Sequence, residues 1–192
     1  MDSDDSWQAI TGMRLDLAEL LARLSEAEWE KPSLCAGWRV RDVAAHVALA
    51  PQAPSLITLL GEAVRARGSF DRVNHDMAVR HADRRTPGQL VAELLEHASS
   101  RRLPVVTGYR NVVLDLAVHC QDIAIPLGRT LPIPADVAVA AADRAWTMGW
   151  PFHARRRLRG RRLVATDADW SAGQGEETRA PITELLLLLT GR

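Results

Sequence analysis

The sequence predicts a mainly α-helical protein, a bundle of the four-helix kind with a small C-terminal β-hairpin and a terminal helix. Apolar residues recur at helical spacing along most of the chain, proline and glycine divide them into segments, and the last forty residues are strand-like. The chain has 192 residues, 47% hydrophobic and 25% charged, which suits a folded domain with a core. We expect residues 1–150 to form the bundle with the functional site, and 151–192 to form the hairpin and the helix packed on it.

The first helix is predicted over about residues 6–29, because apolar side chains recur there at steps of three and four. They are Trp7, Ile10, Leu17, Leu20, Leu21 and Leu24. After a loop, a second helix begins near Trp38, is interrupted by two prolines and resumes over 55–67. The stretch 68–85 is polar and is predicted to be a loop.

Three more helices are predicted from capping and breaking residues. Thr86 caps the third helix and Pro87 is its first residue. Its apolar face holds Leu90, Val91, Leu94, Leu95 and Ala98. A fourth helix is expected over about 111–125 and a fifth over about 135–150.

The C-terminal residues change from helical to strand-like patterning. We expect a strand over 161–166 and, after turns, a second short strand that contains Trp170. Pro181 then begins a terminal helix over 182–189, which Gly191 ends. The two strands predict a β-hairpin beside the bundle.

Charge and cysteine content argue against several classes of protein. Basic and acidic residues number 24 each, so the formal net charge is zero, and we expect neither nucleic acid nor a membrane as partner. Cys35 and Cys120 are too few for a disulfide framework. The acidic N-terminus does not resemble a signal peptide, and apolar runs such as 185–189 are far short of a membrane span. We expect a soluble, cytoplasmic protein, with a homodimer as one candidate oligomeric state.

Six histidines are the main candidates for chemistry, and four of them follow a carboxylate by four residues, where chance would give fewer than one. The pairs are Asp42/His46, Asp71/His75, Glu93/His97 and Asp115/His119. This spacing puts both groups on one helix face, which suits a metal site or a simple surface pair equally. We expect Glu93 and His97 to form a solvated pair, and Asp71 and His75 to lie in the loop.

Two of the histidines lie in strongly apolar surroundings. The helix with Asp115 and His119 is apolar on nearly all sides, as is the segment around His46, so these polar groups are predicted to be buried. Burial is costly unless each group finds a partner. We predict that His46, Asp115 and His119 hold a divalent cation with an open position, as catalytic sites do. The alternative is a metal-free hydrogen bond between a buried histidine and a carboxylate of its own helix.

Two motifs and the C-terminal tail resemble one family. Residues 35–46, Cys-Ala-Gly-Trp-Arg-Val-Arg-Asp-Val-Ala-Ala-His, are similar to the N-terminal signature of the mycothiol-dependent maleylpyruvate isomerase family, one of the DinB-like metal-binding helical bundles. In that signature a glycine–tryptophan loop leads to a helix with an aspartate and, four residues later, a metal-binding histidine. The second motif spans 115–128, with Asp115, His119 and Asp122 in the family's order, and the tail 163–192 resembles the family's shorter members.

The resemblance implies a DinB-like four-helix bundle in which His46, Asp115 and His119 hold a divalent metal that activates the thiol of mycothiol. The implied function is an S-transferase or isomerase acting on a small electrophilic substrate; the alternative is a non-enzymatic metal- or ligand-binding bundle. Zinc suits two histidines and one carboxylate best, while nickel, iron and manganese also fit. The chain has Asp115 where the family's founding type has glutamate, and Arg39 where serine or threonine usually caps the helix.

Three residues near the two motifs have a structural interpretation beside the functional one. Asp122 either orients a metal ligand or is a surface charge at a helix end, with equal weight. Cys120 points about 100° away from its neighbouring histidine on the helix, so we expect it in the core. Cys35 lies in the loop before the ligand helix, where packing is favoured over catalysis.

Two aromatic residues, one polar pair and one basic run are weaker candidates. Trp7 and Trp38 could wall a pocket, although core positions are favoured. Asn74 and His75 could line a substrate mouth, although a plain loop is favoured. The run 155–162 holds six arginines that could bind nucleic acid or a carboxylate-bearing ligand; a solvated hairpin edge paired with acidic residues is favoured.

Overall fold

The computed structural model describes residues 1–52, 69–103 and 107–192, and these form a mainly α-helical structure with a small C-terminal sheet, as predicted. The helices are α1 (Ser3–Ala22), α2 (Glu26–Trp29), α3 (Val40–Leu49), α4 (Phe70–Asp83), α5 (Pro87–Glu96), α6 (Tyr109–Ala124), α7 (Ala135–Thr147), α8 (Ala154–Arg157) and α9 (Ile182–Thr190). The strands are β1 (Arg161–Ala165), β2 (Ser171–Gly173) and β3 (Glu176–Ala180). The helix predicted to resume over 55–67 lies outside the described residues.

Helix α6 lies at the centre of the bundle. It packs against α1, α3 and α7, while α1 also packs on α5, and α3 on α4 and α5. Every residue of its stretch 116–124 is buried, which confirms that a helix apolar on most sides is surrounded by protein. In the described ranges, no helix has both the length and the apolar character that crossing a membrane requires.

The C-terminal sheet has three strands in the order β2-β1-β3. The predicted hairpin is present, because β1 and β2 are antiparallel, with Leu163 opposite Ala172. Strand β3 was not expected: it pairs with β1 in parallel, placing Leu163 opposite Thr178. Its residues, Glu-Glu-Thr-Arg-Ala, lack the apolar alternation that indicates a strand, since β3 is an edge strand with largely exposed side chains. Helix α9 follows and packs on α7.

The predicted first helix is two helices, because the chain leaves α1 after Ala22 and begins α2 at Glu26. Ser25 caps α2: its hydroxyl accepts the Glu28 N–H at 3.4 Å, and its own N–H donates to the Glu28 carboxylate at 2.9 Å. This reciprocal capping box satisfies two backbone donors that a continuous helix would not leave free. The Ser-x-x-Glu spacing was the signal for this break.

The loop predicted over 68–85 is wrong, because α4 occupies 70–83. The Ser69 hydroxyl caps it by accepting the N–H of Arg72 at 3.4 Å. Val73, Ala78 and Ala82 are buried, and the helix packs against α3. Two alanines and one valine are enough for close packing between the helices. Because many charged residues lie between them in the sequence, this narrow apolar face is not evident from the hydrophobic pattern.

A buried arginine joins α1 to the end of α5. Arg14 is only 2% exposed, and its Nη1 donates to the backbone carbonyls of His97 at 3.1 Å, Ala98 at 3.1 Å and Ser100 at 2.9 Å. Burial lowers the pKa of this guanidinium to about 10, which leaves it charged at neutral pH. Arg14 thus satisfies carbonyls that the end of a helix leaves without partners.

Candidate metal centre

The start of α3 sets the position of His46, one turn further along that helix. The Arg39 N–H donates to the Asp42 carboxylate at 2.8 Å, and the Arg39 guanidinium binds both oxygens of the same carboxylate at 2.9 and 2.8 Å. Asp42, only 2% exposed, therefore fixes the first turn in place of the serine or threonine cap. Because its carboxylate binds Arg39, Asp42 is not the partner of His46. The four-residue spacing between Asp42 and His46 results from the capping of the helix start.

Helix α6 brings two side chains to His46, across the interface between α3 and α6. His46 Nε2 lies 3.3 Å from Asp115 Oδ2, and His119 Nε2 lies 3.4 Å from Asp115 Oδ1. The two imidazole centroids are 4.9 Å apart. One ligand atom from each of the three residues lies within 4.8 Å of the others, which is close enough for all three to coordinate one ion. The structure therefore brings together the three residues singled out from the sequence.

The cluster lies at the surface end of the interface rather than fully inside it. The Asp115 side chain is 46% exposed, against 19% for His46 and 10% for His119. The prediction that Asp115 is buried is therefore wrong, because nearly half of its side-chain surface is exposed. The histidines form the inner wall, and Asp115 lies where a molecule from solvent can reach it.

The second nitrogen of His119 is held by a buried pair of opposite charges. His119 Nδ1 donates to Asp122 Oδ2 at 2.9 Å, and Asp122 is fully buried. The Arg192 guanidinium binds the same carboxylate through two hydrogen bonds, at 2.9 and 2.8 Å. The contact at Nδ1 leaves Nε2 as the nitrogen that faces Asp115, which is the one that could bind a metal. Asp122 thus has the orienting position, not that of a surface charge.

The electrostatics of the cluster favour a positive charge between the carboxylates. Desolvation alone would raise the pKa of Asp115, but the imidazoles of His119 and His46 outweigh it and hold that pKa far below its usual value. Burial alone would lower the pKa of His119, but Asp115 and Asp122 raise it to about 9. The negative charges of Asp115 and Asp122 would stabilise either a proton on His119 or a cation bound in the cluster.

Trp38 and His75 lie beside the cluster. The Trp38 ring makes edge contacts with His46 and with His75, each at a centroid distance of 5.7 Å, so this partly buried residue lines the site as well as packing against the core. His75, with Asn74, lies on α4 and not in a loop, and its Nδ1 is 3.1 Å from Asp76 Oδ1. Trp7, 8% exposed, is a core residue as predicted.

Neither cysteine is a reactive thiol. Burial raises the pKa of Cys35 to about 11, and its sulfur lies 3.8 Å from the Arg192 guanidinium. Cys120 is fully buried in the core, as expected, and burial raises its pKa further. The raised pKa disfavours the thiolate form of both cysteines at neutral pH.

The expected solvated pair of Glu93 and His97 is replaced by another cluster. Glu93 accepts from Arg85 at 2.6 Å and from Gln52 at 3.2 Å, and lies 2.6 Å from His81. These contacts link the segment that follows α3 to α4 and α5. Of the four carboxylate–histidine pairs with a spacing of four residues, the pair on α6, Asp115 and His119, is the one whose side chains contact each other in the described structure.

Asp122→Asn is expected to weaken zinc binding 10- to 100-fold, the usual effect of losing the carboxylate that orients a histidine ligand. Titration of the metal-free protein with zinc, against a competing chelator, measures this loss. Asp16→Asn, an exposed carboxylate of α1, is the matched control and should leave the affinity unchanged. Equal affinities in wild type and Asp122→Asn would contradict the orienting position of Asp122.

Comparisons with known proteins agree with the motifs and the fold. Residues 13–103 match the family model described as the mycothiol maleylpyruvate isomerase N-terminal domain. The crystal structure of the mycothiol-dependent maleylpyruvate isomerase aligns with a TM-score of 0.65 and 16% identity over 100% of this chain and 90% of that chain. A histidine-to-alanine mutant of that enzyme aligns with a TM-score of 0.64, at the same identity and coverage. No curated protein matches the chain. The predicted family resemblance is confirmed, and the structural matches establish the shared fold.

Proposed function

We propose that this chain, whose residues 13–103 match the model of the mycothiol maleylpyruvate isomerase N-terminal domain, is a divalent-metal-dependent enzyme that joins a mycothiol-type thiol to a small electrophile or uses it for isomerisation. The observation that carries the proposal is the convergence of His46, Asp115 and His119, whose ligand atoms lie within 4.8 Å of one another. A cytoplasmic location, where thiols are kept reduced, belongs to the same proposal.

The donor set fits a divalent cation of the zinc type. Two imidazole nitrogens and one carboxylate oxygen form a three-ligand set that leaves a position open, as in catalytic and not structural zinc sites. When bound, the cation supplies the positive charge that lowers the pKa of a thiol and removes its proton at neutral pH. One chain provides all three residues, so the proposed site needs no second copy.

The chain's own residues hold this arrangement and leave one side open. Asp122 fixes the orientation of His119 through Nδ1, and Arg192 compensates the buried charge of Asp122. Trp38 packs against the ring of His46. The half-exposed Asp115 leaves room on the solvent side, where thiol and electrophile can meet.

The proposed reaction is nucleophilic addition of the thiolate sulfur to an activated alkene. A C–S bond forms while the π bond opens, so the former double bond can rotate. Loss of the thiolate then restores the double bond in the other geometry, or protonation of the carbon keeps the conjugate. Maleylpyruvate, the substrate in the names of the similar structures, is the first electrophile to test.

The test is an assay of the zinc-loaded protein with maleylpyruvate and three thiols, mycothiol, glutathione and bacillithiol. We expect turnover with mycothiol alone, loss of turnover after chelation and recovery when zinc is added back. Turnover that persists without metal, or is equal with all three thiols, contradicts the proposal. Zinc binding without reaction of any thiol would instead favour the non-enzymatic binding bundle.

A further inference from the structure

Most arginines of the run 155–162 have no acidic partner among the residues that the structure describes. Arg157 donates to the carbonyls of Leu189 at 2.7 Å and Leu188 at 3.3 Å, at the end of α9, and Arg162 lies 3.5 Å from Glu177. Within the described ranges, four others form no ion pair with a carboxylate: Arg155, Arg156, Arg159 and Arg161. The interpretation favoured from the sequence, a hairpin edge paired with acidic residues, therefore holds only for Arg162.

A carboxylate is available close to these arginines. The parallel pairing of β1 with β3 places Arg161 opposite Glu176 and Arg162 opposite Glu177. Arg162 forms an ion pair with Glu177, whereas Arg161 forms none with Glu176 in the described structure. Neighbouring residues of a strand face opposite sides of the sheet, so Arg161 belongs to a different surface from Arg162.

Three of the unpaired arginines line one cleft. Arg155, Arg159 and Arg161, together with Trp146 and Gln174, surround a volume of about 460 Å³ between α7, α8 and the sheet. The Arg155 guanidinium lies over the Trp146 ring, 5.8 Å from its centroid. This cation–π contact favours one position of Arg155 at the wall of the cleft.

The glycine at the sheet end of the cleft keeps this space free of side chains. Gly173 has φ +84°, and a Cβ there would lie 2.3 Å from the Arg161 carbonyl oxygen and 3.3 Å from the Trp146 ring. A larger residue would enter the cleft or displace β1. The residues described as lining the cleft therefore include three arginines, Gln174 and glycine backbone, and no acidic residue is among them, although Glu176 is paired with Arg161 at the sheet.

We infer that this cleft binds a small anion with two or more phosphate groups. Guanidinium groups bind phosphate oxygens through paired hydrogen bonds, and several converging guanidinium groups favour a multiply charged anion over a single carboxylate. The volume of about 460 Å³ admits a diphosphate. None of the residues lining the cleft is a proposed metal ligand, so the inference is independent of the proposed function.

Isothermal titration calorimetry of the full chain with inorganic pyrophosphate tests the inference. We expect one site per chain, and a loss of affinity of about tenfold for Arg159→Gln and again for Arg161→Gln, since each removes a charge-assisted contact. Arg156→Gln is the matched control, because Arg156 belongs to the same run and is unpaired in the described structure but does not line the cleft. It should change the affinity less than twofold.

Three results would overturn the inference. The first is the absence of binding up to millimolar pyrophosphate. The second is binding that is lost in His46→Ala but kept in Arg159→Gln, since the anion would then lie at the metal centre. The third is binding of a 20-nucleotide single-stranded RNA more than tenfold tighter than pyrophosphate through the same arginines, which would make the surface a nucleic-acid site.

Discussion

His46→Ala is expected to lower the affinity for zinc more than 100-fold and to abolish thiol-dependent turnover. The reason is geometric: His46 is the sole residue of the three that comes from α3, and without it the site retains only the neighbouring pair on α6. Loss of an orienting residue outside the coordination shell already costs 10- to 100-fold, so loss of a ligand should exceed that range. Zinc titration against a chelator and the mycothiol assay measure both effects.

His97→Ala is the matched control for this variant. His97 also follows a carboxylate by four residues, but it lies outside the cluster, at the end of α5. We expect its zinc affinity and turnover to equal those of the wild type. Equal losses in both variants, or an unchanged affinity in His46→Ala with the fold intact, would show that His46 holds no metal.

Arg14→Ala is expected to lower the free energy of unfolding by about 3 kcal/mol. The substitution leaves the carbonyls of His97, Ala98 and Ser100 without their shared donor and empties a space at the α1–α5 interface. An unsatisfied buried polar group costs about 1–3 kcal/mol, and water entering the cavity can satisfy part of the set. Urea denaturation at neutral pH gives the value directly.

Arg23→Ala provides the comparison on the exposed side of the same region. Arg23 forms a solvent-exposed ion pair with Glu19, four residues away, and such pairs contribute little to stability. We expect a change below about 0.5 kcal/mol. A loss of less than about 1 kcal/mol in Arg14→Ala would contradict the capping function assigned to Arg14.

The convergence at the candidate centre could be predicted because the sequence places ionisable groups where burial is costly. His46 lies among valines and alanines, and His119 lies on a helix that is apolar nearly all round. Two such groups on different helices lower the cost of their burial when they lie together and share a partner. Helix geometry placed Cys120 in the core, whereas the sequence left two equal interpretations for Asp122, of which the structure supports the orienting one.

Arg192 could not be found in this way. It lies at the end of the chain, after a glycine with φ +83°, and nothing in its neighbours links it to Asp122. Its position depends on α9 packing against α7, which is a long-range property. The sequence did contain one signal for such a partner, the negative charge of Asp122. A buried carboxylate requires a cation or several hydrogen-bond donors nearby.

Two elements were mispredicted for a common physical reason. Helix α4 and strand β3 each bury few or none of their side chains, so their sequences are rich in polar and charged residues. What defines α4 is the packing of Val73, Ala78 and Ala82 on α3, and what defines β3 is backbone pairing with β1. Small buried residues and backbone hydrogen bonds leave little trace in hydropathy. This explains why His75 was assigned to a loop although it contacts Trp38.

An anomalous difference map from crystals of the zinc-loaded protein, recorded at the zinc edge, tests the central claim most directly. We predict one strong peak within about 2.0–2.2 Å of His46 Nε2, a carboxylate oxygen of Asp115 and His119 Nε2. A peak on other residues, or stoichiometric zinc in the crystal with no peak between α3 and α6, would contradict the assignment of these three side chains as the metal centre.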